Sequence, residues 1–176
     1  MTDDISEILP NAKAVMLRTK PPFRWASGII SPIYTDNRIL MSYPKEREII
    51  VSSLIGMIKR NNLKFHGFAA TATAGIPWGA WLSQKLRKPM AYVRSEAKGH
   101  GRENLVEGII EEGKSYIVVE DLISTGASSI NTINAVRAKK GIAESCIAIF
   151  NYELEKSRIN FENSNVRLLA LTGFTS

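Results

Sequence analysis

The sequence predicts an α/β fold built on an open, mainly parallel sheet with helices on both faces. Short, almost wholly apolar runs such as Tyr116-Ile117-Val118-Val119 suit strands buried on both sides. From about residue 64 these runs alternate with helical patterns, which is the arrangement that crossover connections produce. Ligands of such sheets bind beyond the carboxyl ends of the strands, which singles out 71–75, 95–107 and 120–129.

In chain order, Ile5, Ile8, Leu9, Ala12 and Val15 lie at helical spacing and predict a first helix over 4–17. After Pro21-Pro22, the stretch from Phe23 to Tyr34 reads as two short strands around a Ser27-Gly28 turn. Pro44 opens an amphipathic helix to about Asn61, since proline suits the first helical turn and Ile50, Leu54, Met57 and Ile58 form one stripe. Strands are expected at 64–70, 90–94, 115–119, 145–151 and 166–171, with helices at 76–87 and 127–140. With no repeat, low-complexity block or linker, the expectation is a single domain over 1–176.

Composition narrows the function classes. A chain of 176 residues with 44% apolar content fits one globular domain that buries about 70% of its unfolded surface, without a disulfide or metal staple. The single cysteine, Cys146, sits in the apolar run Cys146-Ile147-Ala148-Ile149-Phe150 and reads as a small buried hydrophobe. Two histidines are too few for most metal cages. The acidic start Thr2-Asp3-Asp4 lacks the features of a signal peptide, and no apolar run reaches membrane-spanning length, so the protein is expected in the cytoplasm, away from membranes. A net charge of +6 and a pI near 9.5 suit an anionic partner. Because the basic residues are dispersed, a small phosphorylated substrate accounts for that charge as well as nucleic acid does.

The most informative stretch runs from Tyr116 to Ser129, where a buried strand ends in Glu120-Asp121 and a Ser124-Thr125-Gly126-Ala127-Ser128-Ser129 turn feeds a helix. Backbone N–H groups and hydroxyls at a helix start cradle an anion, while paired carboxylates accept hydrogen bonds from a diol or meet a hydrated cation. An isolated turn of this kind would read as two solvated acids before an ordinary helix cap. Further along the predicted ligand edge, glycines at 99, 101 and 108 among charges mark a mobile loop, and Arg94, Lys98 and His100 offer cationic donors suited to a diphosphate. The small residues of Ala70-Thr71-Ala72-Thr73-Ala74-Gly75 let backbone N–H groups approach an anion closely.

As a whole, the stretch from Tyr116 to Ser129 resembles the phosphoribosyl diphosphate motif of the type I phosphoribosyltransferases, an apolar strand running into Glu-Asp, then Thr-Gly and Ser or Thr. The resemblance implies that Glu120 and Asp121 take the ribose diol. It also implies that Ser124, Thr125, Gly126, Ala127 and Ser128 take the 5-phosphate, with Leu122 and Ile123 in the same binding stretch. The segment Arg94 to Gly108 resembles the orotate branch of that family, whose catalytic loop has Arg, then Lys-x-His-Gly, then a Glu-Gly close. It implies catalytic roles for Arg94, Lys98 and His100 at the diphosphate, and a homodimer in which the loop serves the neighbouring subunit. Phe23, Ser27, Gly28, Ser31, Pro32, Tyr34, Asp36 and Arg38 match the same branch, which implies a small N-terminal hood from about 1–40 over the base. Thr73, Ala74 and Gly75 match its diphosphate loop in position.

Some members carry a lysine where this chain has Ala26, a second lysine where it has Ser95, and an orotate-holding arginine near Glu153. The candidates for the orotate carboxylate are therefore Arg38 and then Arg24, with Tyr34 and Ser124 beside the base.

The reaction implied is transfer of ribose 5-phosphate from phosphoribosyl diphosphate to orotate, giving orotidine 5′-phosphate and diphosphate in UMP biosynthesis. Magnesium would travel on the substrate's phosphates with no direct protein ligand required. The alternatives are another base phosphoribosyltransferase, which would lack the Lys98-Gly99-His100-Gly101 loop, or a non-catalytic regulator that senses phosphoribosyl diphosphate. A regulator has no need of that loop, and an enzyme with small-molecule substrates, without nucleic acid, is the expectation.

Overall fold

The computed structural model describes residues 5–24, 28, 30–95 and 105–175. The chain divides into two compact units after Ile50.

In the N-terminal unit, helix α1 covers Ile5–Asn11 and buries Ile5 and Leu9. It stops well short of the expected 17. Pro10 lies inside it, Lys13 takes a left-handed conformation at φ 57°, and the Lys13 and Ala14 N–H groups bond back to the Pro10 and Leu9 carbonyls. That pattern is a Schellman termination, which satisfies the last carbonyls and ends the helix. The freed apolar residues become strand β1 (Val15–Leu17), because Val15 and Leu17 can pair with a neighbouring strand as readily as extend a stripe. β2 (Phe23–Arg24) and β3 (Ile30–Ser31) form the expected antiparallel pair, with Gly28 at φ 84° between them. β4 (Ile33–Thr35) pairs antiparallel with β1 in the register Val15↔Thr35. A 3-10 helix, Asn37–Ser42, follows, capped by the Asp36 side chain, and α2 (Pro44–Arg60) begins at the expected proline.

The C-terminal unit holds β5 (Gly67–Thr71), α3 (Gly75–Leu86), β6 (Met90–Val93), β7 (Val106–Glu107), β8 (Ser115–Val119), β9 (Leu122–Ile123), α4 (Ala127–Ala138), β10 (Ile142–Asn151), α5 (Glu155–Asn163) and β11 (Arg167–Gly173). Seven of these are strands of one sheet, ordered β11-β10-β8-β5-β6-β7, with β9 also on β10. Every pairing is parallel except β6 with β7. The expected strands and helices are all present, and β10 starts earlier than 145 because Ile142 pairs with Ser115 ahead of a register shift.

Burial explains the strand composition. All five residues of β5 are buried, and Val118 and Val119 of the adjacent β8 and Ile147 and Ala148 of β10 beyond it are shut off from solvent. α4 packs Ile133 and Val136 onto a core with Tyr116, Cys146 and Phe161. Each such aliphatic side chain contributes roughly 1.5–3 kcal/mol when fully buried. Cys146 lies wholly inside, and burial pushes its thiol far above its ordinary pKa, so it behaves as the small hydrophobe its neighbours predict.

Candidate active site

The end of β8 sets the site. Once past Val119 the chain steps aside for two residues. Glu120 N–H donates to the Ile147 carbonyl at 3.0 Å, and the Asp121 carbonyl accepts from the Ile149 and Phe150 N–H groups at 3.2 Å each. It re-enters the sheet as β9, with Leu122 opposite Phe150 and Ile123 opposite Asn151. The two acids are thus held by backbone bonds on both sides. Ile123 turns its side chain into the core and anchors the stretch.

Glu120 and Asp121 are 7% and 8% exposed. Glu120 Oε1 accepts from the Asp121 N–H at 3.2 Å, and its Oε2 from the Ser129 hydroxyl at 3.4 Å. Burial, and next the neighbouring Asp121 charge, hold the Glu120 carboxyl well above its ordinary pKa of 4.5. A carboxyl raised on folding binds its proton more tightly in the native state. Its stabilising effect is therefore complete below the unfolded value and is lost as pH rises through the folded one. Glu120→Gln is accordingly expected to flatten the fall in stability between pH 4.5 and neutrality, measured by urea unfolding across that range. An unchanged slope would show that Glu120 is already ionised without penalty.

Beyond Ile123 the loop reaches Gly126 at φ 78°, a left-handed conformation that suits glycine, and α4 begins at Ala127 with no side-chain cap. Uncapped N–H groups at a helix start form an anion site, and here Ala127 and Ser128 are exposed. Ser124 and Thr125 are half-buried. The start of α3 stands close by. A Cβ on Gly75 would fall 2.5 Å from the Val119 carbonyl, so only glycine lets the loop of Thr73, Ala74 and Gly75 abut the end of β8. Two buried hydroxyls, Thr71 at the end of β5 and Thr132 on α4, meet at 3.0 Å and tie these segments together.

Arg94 follows β6, its N–H donating to the Leu105 carbonyl at 2.9 Å and its guanidinium to Glu107 at 3.3 Å. Thr71, Ala72, Arg94, Ser95, Ser128 and Asn131 surround a cavity of about 40 Å³. Three of the segments singled out from sequence therefore converge at one place. Two larger cavities, of about 310 and 340 Å³, lie beside α5 and between α2 and α3, away from the acids. A helix start exposed to solvent can hold an anion without a deep pocket, and the smaller cavity is the one where the segments singled out from sequence meet. Lys98 and His100 lie outside the described residues.

Tyr34 and Arg38 belong to the N-terminal unit. Arg38 forms a bidentate pair with Asp36, Nε to Oδ1 at 2.7 Å and Nη2 to Oδ2 at 2.8 Å, which holds the Asp36 carboxyl below its ordinary pKa. The Tyr34 ring lies 5.5 Å from that of Phe23. Arg24 is exposed on β2. Glu153, where some members of the resembled family have an arginine, accepts from the Thr175 N–H and hydroxyl at 3.1 and 2.7 Å.

Among the described residues no group of three or more His, Cys, Asp or Glu side chains could hold a metal ion. The adjacent Glu120 and Asp121 carboxylates are oxygen donors of the kind magnesium takes, and two suit an ion that keeps its water and phosphate ligands. Sequence reasoning missed Thr132 and Asn131, and it gave no individual role to Ser129, Thr71 and Glu107, which lie within the stretches it singled out. A helical-turn count would have found Asn131 and Thr132, which sit three and four residues past Ser128 on α4.

No protein-family model matches the sequence. The chain is 46% identical over 171 residues to the orotate phosphoribosyltransferase of Coxiella burnetii, covering 97% of this chain and 82% of that protein. It is also 46% identical over 170 residues to the orotate phosphoribosyltransferase of Listeria innocua, covering 97% and 81%. Among solved structures, the orotate phosphoribosyltransferase of Aeropyrum pernix superimposes with a TM-score of 0.86 at 26% identity, over 97% of this chain and 94% of that one.

Proposed function

The chain belongs to the orotate phosphoribosyltransferase family, and on that premise we propose that the end of β8, the start of α4 and the 73–75 loop hold phosphoribosyl diphosphate while orotate displaces its diphosphate. The fold is the type I phosphoribosyltransferase fold, and the activity is a pentosyl transfer of pyrimidine biosynthesis that converts orotate to orotidine 5′-phosphate. The observation that carries the assignment of roles is the convergence of Arg94, Ser128 and the end of β5 on one cavity.

Glu120 and Asp121 receive the ribose hydroxyls, and Ser124, Thr125, Gly126, Ala127 and Ser128 the 5-phosphate. Thr73, Ala74 and Gly75 offer backbone N–H groups to the diphosphate. Orotate supplies its own nitrogen nucleophile, so the protein's work is orientation and charge stabilisation at the anomeric carbon. Arg94, with Lys98 and His100, meets the departing diphosphate, and His100 suits the role of a general acid. Ser124, Tyr34 and Arg38 contact the base. When bound, magnesium would travel on the substrate's phosphates, with Glu120 and Asp121 the oxygen donors this chain offers it, and would supply neutralising charge for the diphosphate. The setting is the cytoplasm; no helix among the described residues is long and apolar enough to cross a membrane.

The test is a spectrophotometric assay offering orotate, uracil, adenine and guanine in turn with phosphoribosyl diphosphate and magnesium. Only orotate is expected to be consumed at a substantial rate. Adenine or guanine turnover matching that of orotate would refute the base assignment.

The working unit is a homodimer in which the loop carrying Lys98 and His100 completes the partner's site. Lys98→Ala and Asp121→Asn proteins, each nearly inactive alone, should then regain activity on mixing. A mixed dimer assembles one site with both wild-type residues and one with both defects, so random exchange of an equal mixture restores about a quarter of all sites. Orotate consumption after exchange, followed with tagged subunits, reads the outcome. Full exchange without recovery would assign the loop to its own subunit.

A further inference from the structure

Helix α5 touches the 5-phosphate loop at two adjacent residues. The Asn160 side-chain amide donates to the Thr125 carbonyl at 2.9 Å. Beside it the Phe161 ring, 3% exposed, fills the space under Gly126, and a Cβ there would stand 2.7 Å from a ring carbon. The start of α5 is itself held, since the Ser157 N–H and hydroxyl both donate to the Leu154 carbonyl, at 2.9 and 2.7 Å.

We infer that Asn160 is a positioning residue for phosphoribosyl diphosphate, acting through the Thr125–Gly126 peptide. This rests on the assignment of Ser124 to Ser128 to the 5-phosphate. The Thr125 carbonyl and the Gly126 N–H share one planar peptide and point in opposite directions. Holding the carbonyl towards α5 therefore aims the Gly126 N–H away from that helix, as a cradle donor requires. Glycine is the residue least able to hold such an orientation unaided, because its backbone turns freely to either hand. Without the Asn160 amide, rotation of this peptide would present a carbonyl oxygen to the phosphate and replace an attractive dipole with a repulsive one. Phe161 limits how far the loop can sink and Asn160 sets which way its peptide faces.

Asn160→Leu keeps the side-chain volume and removes the donor. The KM and Kd for phosphoribosyl diphosphate are expected to rise about three- to tenfold, the range one hydrogen bond commands. The KM for orotate and kcat at saturation should stay within about twofold, because the group reached through Thr125 is the 5-phosphate alone. Asn160→Asp also loses the donor while keeping shape and polarity, and covers the case in which leucine impairs folding. A lower melting temperature with unchanged constants for phosphoribosyl diphosphate would reduce Asn160 to a structural role and overturn the inference. Ser128→Ala, which removes one of the cradle's own hydroxyls, separates the two levels. If it raises the same KM while the Asn160 variants do not, the cradle stands and the inference fails. If neither changes anything, both fall.

Discussion

Asp121→Asn is expected to weaken binding of phosphoribosyl diphosphate at least tenfold while the protein stays folded. Asp121 is 8% exposed, next to a Glu120 that burial keeps protonated more readily than an ordinary glutamate. Asp121 is the carboxylate proposed to face the ribose hydroxyls. Hydrogen bonds to a charged partner contribute about 1.5–3 kcal/mol, and each 1.4 kcal/mol is about a factor of ten. Asparagine keeps the shape but loses the charge, and one of its two groups becomes a donor facing donors. The fold should persist, because the backbone there is fixed by the bonds from Ile149 and Phe150 to the Asp121 carbonyl, which the substitution leaves alone. Removing the charge beside Glu120 also takes away the second-largest cause of its raised pKa. Calorimetric titration with phosphoribosyl diphosphate, alongside urea unfolding, checks both halves. Unchanged affinity would take Asp121 out of contact with the diol.

Gly126→Ala is expected to combine a large loss of stability with a large loss of substrate affinity. At φ 78° an alanine pays about 1–2 kcal/mol for the left-handed conformation. Its Cβ would also meet the buried Phe161 ring at 2.7 Å, and overpacking of that kind costs about 1–3 kcal/mol. The two origins can be separated. Phe161→Leu trims the ring and should recover the steric part in the double variant, leaving the conformational part untouched. Stability by urea unfolding should then show the pair to be less destabilised than the sum of the single variants. Strict additivity would mean that the alanine never meets the ring. The affinity for phosphoribosyl diphosphate should recover less than the stability does, because a loop that stays strained still misdirects the N–H groups at the start of α4.

The site was legible to the extent that its chemistry is contiguous in the chain. Glu120-Asp121 and Ser124 to Ser128 stand in sequence as they stand in space, at the end of β8 and the start of α4. Arg94 and Thr73 to Gly75 were singled out by position, and Arg94 and the adjoining Thr71-Ala72 share a cavity with Ser128. Residues that act across the sheet were invisible. The Thr71–Thr132 bond joins positions 61 apart in sequence, and Asn160 reaches Thr125 across 35. α5 was missed because its inward face presents only Ser157 and Phe161, too few apolar residues for a helical stripe. The first helix was overextended because Val15 fits its spacing, although Pro10 and the Schellman turn at Lys13 end it.

By itself the sequence determined the alternation of strands and helices, since a strand buried on both faces must be apolar throughout and β5 and β8 are written that way. It also singled out the motif proposed to bind a phosphorylated sugar, because a diol acceptor and a phosphate cradle need particular groups at adjacent positions. Tertiary structure alone decided the strand order and the burial that raises the Glu120 carboxyl's pKa. It also brought α5 against the phosphate loop. The physical reason is range: propensity and backbone turns act over a few residues, whereas desolvation, ring contacts and side-chain bonds depend on neighbours that only the folded chain brings together.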